Sequence, residues 1–402
     1  MSALTDAVQA ESILAGSADA LTVARGITRD AAAALFHNAE LPGLLAAARA
    51  ARRRFHGNTI NFSKKVFIPL TRLCRDYCGY CTFRRDPGEE GGRYLQPDEV
   101  LALAEAGRRA GCKEALFSLG DQPERLFPEA ADELGRLGYG RTLDYLAAMT
   151  EMTLERTGLL PHANPGVMGG DDLARLRESN VSLGLMLESS SGRLMRKGEA
   201  HWKAPDKVPA LRLRTIEEAG RQGIAFTTGI LIGIGETVEE RIDSLVAIRS
   251  LHELYGHIQE VIIQNFRAKP RTRFESMPEP PLEDMLRTIA VARLILGGAM
   301  NVQAPPNLSY ANFPRLLEAG LNDWGGISPV TLDFINPEAA WPEIRLLGEK
   351  TRAAGLELRE RLAIYPEFIA TGERRRKFVH ANVRAKLEPL CDEDGYARSC
   401  LN

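Results

Sequence analysis

Between residues 61 and 340 the sequence predicts an α/β fold, a (β/α)8 barrel of TIM type, with an N-terminal helical extension (1–60) and a C-terminal helical tail (341–402). Three observations carry this prediction. Short apolar runs alternate with longer amphipathic segments about eight times, the pattern of parallel strands joined by helices. The amphipathic segments carry helix start and stop signals. Polar residues recur just after the apolar runs, where the mouth of a barrel lies. A partial barrel of about six units with irregular last strands is the alternative.

Taken in order, residues 1–60 are rich in alanine, and Leu44, Leu45 and Ala48 recur at helical spacing. The first strand is Val66-Phe67-Ile68-Pro69-Leu70. A helix follows from Pro97, with Asp98 and Glu99 in its first turn, and stops at Gly111. The second strand is Ala115 to Leu119, and a short third sits at Leu159-Leu160. Val181 to Leu187, Ala225 to Ile232, Glu260 to Phe266, Asn301 to Ala304 and a run near Asp323 complete the set. Gly223 ends the helix that contains Ile216 and Ala219. Thr237-Val238-Glu239-Glu240 fits a capping box that opens the helix after the fifth strand. No Gly/Ser linker or shift in composition interrupts the pattern, so one barrel domain is expected. The tail after about Trp341 reads as helical and packs outside it.

The totals narrow the function. Of 402 residues, 44% are hydrophobic and 26% charged, the balance of a globular protein. A net charge of −2 gives no electrostatic case for nucleic acid or an anionic membrane surface. Met1 to Ser12 lacks a basic segment followed by an apolar one, so no secretory signal is expected. The best apolar stretch, Ile289 to Met300, is broken by Arg293. A cytoplasmic location is expected.

Half of the six cysteines fall within eight residues, in Leu73-Cys74-Arg75-Asp76-Tyr77-Cys78-Gly79-Tyr80-Cys81. In a chain without an export signal, clustered cysteines point to metal rather than to disulfides. The spacing C-x3-C-x2-C lets three thiolates meet at one 4Fe–4S cluster and leaves the fourth iron open. That iron can take the amino and carboxylate groups of S-adenosylmethionine, whose sulfonium the reduced cluster can cleave to a 5′-deoxyadenosyl radical. Zinc is the rival, but it wants a fourth ligand at short spacing; His56 lies eighteen residues upstream and the next histidine is His162. The motif follows the first strand, as a barrel's active-site loop should.

Other strand ends supply candidates. Gly120, in Gly120-Asp121-Gln122-Pro123-Glu124, is either a plain turn or a close backbone approach to a ligand. Gly229 to Glu236 includes Gly233 and offers flat backbone for an adenine ring, though it is no dinucleotide fingerprint. Glu188 could accept from ribose hydroxyls, and Arg193 or Arg196 could pair with a carboxylate. The Glu188-Ser189-Ser190-Ser191 run reads equally as a solvated helix cap. His162 with Asn164, Gln264-Asn265, Gln303 with Asn307, and Asn322-Asp323 are the remaining polar groups placed at strand ends. Cys112, Cys391 and Cys400 are too scattered for an obvious second cluster, unless folding unites the last two.

At these residues the chain resembles the CofG family, the first subunit of deazaflavin (FO) synthase, within the radical S-adenosylmethionine (SAM) enzymes. The resemblance rests on Phe67 to Phe83, Ser118 to Glu124, His162 to Met168, Leu185 to Ser190, Gln264 to Pro270 and Asn322 to Val330. It runs over about residues 60–340 and implies a radical SAM lyase of coenzyme F-420 biosynthesis. A sister enzyme, CofH, would join tyrosine's side chain to 5-amino-6-(D-ribitylamino)uracil; the CofG-type enzyme would abstract hydrogen from that adduct, close the ring and release ammonia. One cluster motif implies dependence on the sister enzyme for substrate and on an electron donor such as flavodoxin or ferredoxin. Carried over by position, Cys74, Cys78 and Cys81 bind the cluster, and Tyr80, Gly120, Glu188 and Gly233 surround S-adenosylmethionine. His162, Asn322 and Asp323 fall on the substrate side, with Asp323 a candidate proton acceptor. Biotin-synthase-like and menaquinone-pathway enzymes are rivals within the same barrel group. A non-catalytic Fe–S or zinc module is the rival from another class.

Overall fold

In the computed structural model, which describes residues 3–16 and 20–398, eight parallel strands close into a barrel. They are β1 (Thr59–Pro69), β2 (Glu114–Ser118), β3 (Leu160–Asn164), β4 (Ser182–Gly184), β5 (Phe226–Ile232), β6 (Ile258–Asn265), β7 (Val302–Gln303) and β8 (Asp323–Ile327). Closure runs through β1, whose Lys65 to Pro69 pair with Glu114 to Ser118 of β2 and whose Asn61 to Lys64 meet β8. Every residue of β5 is buried, the mark of a parallel strand covered on both faces. β4 is shorter than its apolar run, but beyond it the chain still bonds to β5, with a parallel bridge between Glu188 (φ +65°) and Ile230.

Helices cover the outside of the barrel. Thr237 caps the helix Val238–Tyr255: its hydroxyl accepts from the Glu240 amide at 3.2 Å, and the Glu240 carboxylate accepts from the Thr237 amide at 2.9 Å. In the helix Leu282–Leu296, eleven residues are buried, Arg293 among them. Its guanidinium donates to the Gly320 carbonyl at 2.9 Å and to Asn322 Oδ1 at 2.6 Å. The charge that interrupts the longest apolar run therefore ties together loops at the closed end of the barrel. No helix among the described residues is long and apolar enough to cross a membrane. Before the barrel, the helix Leu41–His56 buries Leu44, Leu45 and Ala48.

The tail departs from expectation. It contains short helices, but also β9 (Glu357–Arg361), which pairs in parallel with Thr59 to Ser63 at the start of β1. β1 is eleven residues long, so its first half has an open edge that β2 does not reach. A free edge in a buried sheet needs a partner, and the tail supplies it. Beyond β9, Ile364, Tyr365 and Phe368 pack on Leu160, Val181 and Ala225 at the strands' amino ends. The tail floors the barrel instead of lying outside it. Cys391 is buried in this layer without a disulfide, and Cys400 lies outside the described residues.

Candidate active site

The chain leaves β1 into a loop that is fastened at both ends. Arg72 donates to the Phe83 carbonyl at 3.0 Å, the Gly79 amide to the Ala200 carbonyl at 2.7 Å, and Arg75 forms a two-point ion pair with buried Asp206. Cys74, Cys78 and Cys81 all open onto one cavity of about 230 Å³, which Tyr80, Gly120 and Glu188 also line. The backbone amides of Asp121 and Asp76 point at Cys74 Sγ, at 3.2 and 3.4 Å. Gly120 presses against this loop so tightly that a Cβ would stand 1.9 Å from the Leu73 carbonyl oxygen and 2.6 Å from Cys74 Cβ. Its close approach is to the cysteine loop itself.

The donor set fits an iron–sulfur cluster better than a single ion. Among the described residues, the trio of metal-ligand side chains gathered within 4.8 Å is Asp76, Asp121 and Asp206, not the cysteines. Thiolates on one tetrahedral zinc stand about 3.8 Å apart. The three cysteines line a common cavity without gathering as tightly as one zinc ion requires, which suits a cluster of several irons. Burial pushes the Cys74 and Cys78 thiols up, so a cationic metal centre is needed to hold them as thiolates.

The rest of the cavity wall is charged. Burial would raise the Glu188 carboxyl, yet the Lys207 and Arg212 charges hold it down at about 2. Lys207 Nζ donates to it at 2.5 Å, and Arg212 is fixed by carbonyl acceptors at Met186 (2.7 Å) and Asp206 (3.0 Å). Asp121 is pushed up to about 8, by burial first and then by Asp206 and Asp76. Buried anions and cations around one cavity suit a zwitterionic ligand, whose ammonium and carboxylate each need an opposite charge.

Below it lies a second cavity of about 170 Å³ inside the barrel, lined by inward residues of the strands, including Lys65, Glu114, His162 and Gln303. The two share Ser118, Asn164, Gln264, Ile335 and Asn336, so they adjoin across this wall. His162 Nδ1 lies 2.7 Å from Ser182 Oγ, and burial lowers its ring to about 4, so it is neutral near pH 7.

Several expected residues stand elsewhere. Arg193 faces outward, paired with Glu240 at 2.8 Å and donating to the Gly235 carbonyl at 2.6 Å. Gly233 does not line the cavity: its φ is +87°, and a Cβ there would meet Pro280 at 2.7 Å, while Leu231 is the residue of that motif that reaches the cavity. Asn322 and Asp323 open β8 instead of closing it, which puts them at the floor. Asp323 is fully buried; it accepts from Arg361 Nε at 2.7 Å and from the Gly325 amide at 2.5 Å. Asn322 is taken by Arg293 and Asn301. Neither has a free group to offer a substrate. Lys207 and Arg212 were not singled out from the sequence: Lys207 ends the long loop between β4 and β5, and Arg212 stands in the first turn of the helix Pro209–Arg221 that follows it, both away from any strand end. Lys65 was hidden inside β1.

Residues 68–248 match the family model of the radical SAM superfamily. The FO synthase of Streptomyces coelicolor is 48% identical over 390 residues, which is 96% of this chain and 44% of that protein. This chain thus spans less than half the length of that relative. The 7,8-didemethyl-8-hydroxy-5-deazariboflavin synthase of Methanopyrus kandleri is 50% identical over 339 residues, 84% of this chain and 100% of that one. Among solved structures, the FeFe-hydrogenase maturase HydG of Carboxydothermus hydrogenoformans superposes with a TM-score of 0.69 at 18% identity, over 96% of this chain and 84% of that one. That likeness is one of fold.

Proposed function

Because this chain belongs to the 7,8-didemethyl-8-hydroxy-5-deazariboflavin (FO) synthase family of radical SAM enzymes, we propose that it forms FO from the tyrosine–ribityluracil adduct made by the sister enzyme CofH. The observation that carries this reading is the adjacency of the two cavities: the sulfur-lined, charged space shares a wall with a polar lumen large enough for part of a second molecule. A 4Fe–4S cluster on Cys74, Cys78 and Cys81, when bound, supplies the electron that cleaves S-adenosylmethionine and so yields a 5′-deoxyadenosyl radical.

The chain's own residues do the rest. Asp76 and Asp121 offer carboxyl oxygens as acceptors for an ammonium group, and Lys207 with Arg212 offers positive charge to a carboxylate. Glu188, held ionised, accepts from ribose hydroxyls. Tyr80, whose hydroxyl is 3.2 Å from His201 Nε2, closes one wall. The enclosing strands keep water from the reactive species once substrate fills the lumen. A small electron carrier such as flavodoxin or ferredoxin would reduce the cluster, and a reducing cytoplasm suits its thiolates.

The test is reconstitution under anaerobic conditions. The protein is incubated with CofH, tyrosine, 5-amino-6-(D-ribitylamino)uracil, S-adenosylmethionine and a strong reductant, and fluorescent deazaflavin is measured. The wild type is expected to form product, and Cys78→Ala none. A wild type that binds its cluster and cleaves S-adenosylmethionine, yet yields no deazaflavin, refutes the substrate assignment.

A further inference from the structure

The lumen contains one buried charge with no partner. Lys65 points inward from β1 and is 8% exposed, and its Nζ makes no hydrogen bond or ion pair with any described residue. The acids around it are engaged elsewhere. Glu114 accepts from Ser63; Glu260 accepts from Tyr365 at 3.0 Å and from Arg361 at 3.1 Å; Asp333 accepts from Asn307 at 2.9 Å and from Asn336 at 3.0 Å. The nearest companions of the amine are aromatic, with the Trp341 ring centre 5.0 Å away and that of Phe67 5.9 Å away.

Room for this side chain is built into the facing strand. At Gly326 in β8, a Cβ would stand 2.4 Å from Lys65 Cδ and 2.8 Å from Nζ. A buried amine without a partner is costly to keep. Here the cost falls on the wall of the lumen.

Resting on the reading above, we propose that Lys65 is the proton-transfer residue for ammonia release, in direct contact with the substrate. The step is redox-neutral and its protons balance. As the new double bond forms, the Lys65 amine takes a proton from the cyclised substrate, and the electron pair of that broken bond becomes the π bond. The carbon–nitrogen bond breaks with its pair going to nitrogen, and the Lys65 ammonium returns the proton so that the nitrogen leaves as ammonia. Burial draws the Lys65 amine down from its usual range, aided by Arg361 and opposed by Glu114, Asp333 and Glu260, so the neutral form is favoured relative to a solvated lysine. Of the other groups facing it, His162 is itself drawn down to about 4, both oxygens of Asp323 are held, and Glu260, raised to about 7 chiefly by burial, already accepts from Arg361, Tyr365 and Thr227.

The experiment uses the reconstituted holoenzyme with Lys65→Met. It is expected to go on forming 5′-deoxyadenosine while FO falls by about 100-fold or more, and a species about 17 mass units heavier than FO, still carrying the nitrogen, accumulates. In Lys65→Ala, added ethylammonium is expected to restore part of the FO formation, with a pH dependence that follows the added amine. A merely structural lysine gives no such rescue. FO formation by Lys65→Met within about threefold of the wild type overturns the proposal. So does loss of 5′-deoxyadenosine in step with FO, which would place the residue at the cofactor or in the fold. A wild type that makes no FO overturns the functional reading and this inference with it; an active Lys65→Met beside an active wild type overturns the inference alone.

Discussion

The sulfur-lined cavity and the lumen beneath it are built in different ways. The upper space is made by loops: the cysteine segment after β1, the turn after β2, and the β4–β5 loop that brings Lys207. Within it Glu188 is paired with Lys207, while outside its lining Arg75 ties the cysteine loop to Asp206. The lumen is made by strand interiors, and the carboxylates Glu260 and Asp323 at its floor are paired by a residue from the tail, Arg361. The first region is assembled from short pieces of contiguous sequence, whereas the second exists only once the barrel has closed in register.

Removing the floor's cation is the hardest test of that contrast. Arg361 pairs with Asp323 at 2.7 Å and with Glu260 at 3.1 Å, and lies over the Tyr365 ring at 4.1 Å from its centre. Arg361→Met leaves two buried carboxylates without their cation, at a cost of about 3–5 kcal/mol. Thermal or urea unfolding should show the loss, and cluster content per folded molecule should stay near that of the wild type. A variant as stable as the wild type would mean that the tail does not close the floor.

Histidines sharpen the comparison through pH, with a smaller effect. Burial lowers His162 in the lumen to about 4 and, with Lys207, lowers His201 in the upper wall to about 3, from an ordinary 6.5. Each favours the folded state fully above pH 6.5, and that stabilisation is lost as the pH falls, because the unfolded chain takes up the proton first. At about pH 5 each should cost about 2 kcal/mol of stability relative to pH 7.5. Urea midpoints at the two values check the sum, and His162→Gln should remove close to half of the pair's contribution. An unchanged pH dependence in that variant would mean that water reaches the ring.

What could be read from the sequence divides along the same line. The cysteine loop is a local device, and its spacing alone placed three sulfurs on one space. Thr237 with Glu240, and the glycine at 223, likewise act over a few residues, and they cap the helices they were assigned to. The floor could not be read, because the inward direction of Lys65 or Asp323 depends on which strand lies opposite and at what register. The sequence places Asp323 among the polar residues at strand ends, but it opens β8. In the barrel Gly326 keeps its place in β8 and leaves room for Lys65. The tail's β9 has the sequence Glu357-Leu358-Arg359-Glu360-Arg361, with too few apolar residues to signal a strand. Its partner, the free edge of β1, appears only in three dimensions.

Arg193 gives the smallest expected effect. In the sequence it stood close behind Glu188, near enough to suggest a partner for a cofactor carboxylate. The backbone turn at Glu188 and the short helix Gly192–Met195 carry it to the outside instead, where Ser191 and Arg193 together hold Glu240. Its side chain is 31% exposed, and such a pair contributes about 1 kcal/mol or less. Arg193→Ala should therefore leave S-adenosylmethionine affinity within about twofold, whereas Arg212→Ala, which removes a buried guanidinium from the cavity wall, should weaken it at least about tenfold. Equilibrium binding to the cluster-loaded protein measures both. Equal losses from the two variants would mean that the outer wall moves inward on binding, and that the charges lining the cavity are not the set that holds the ligand.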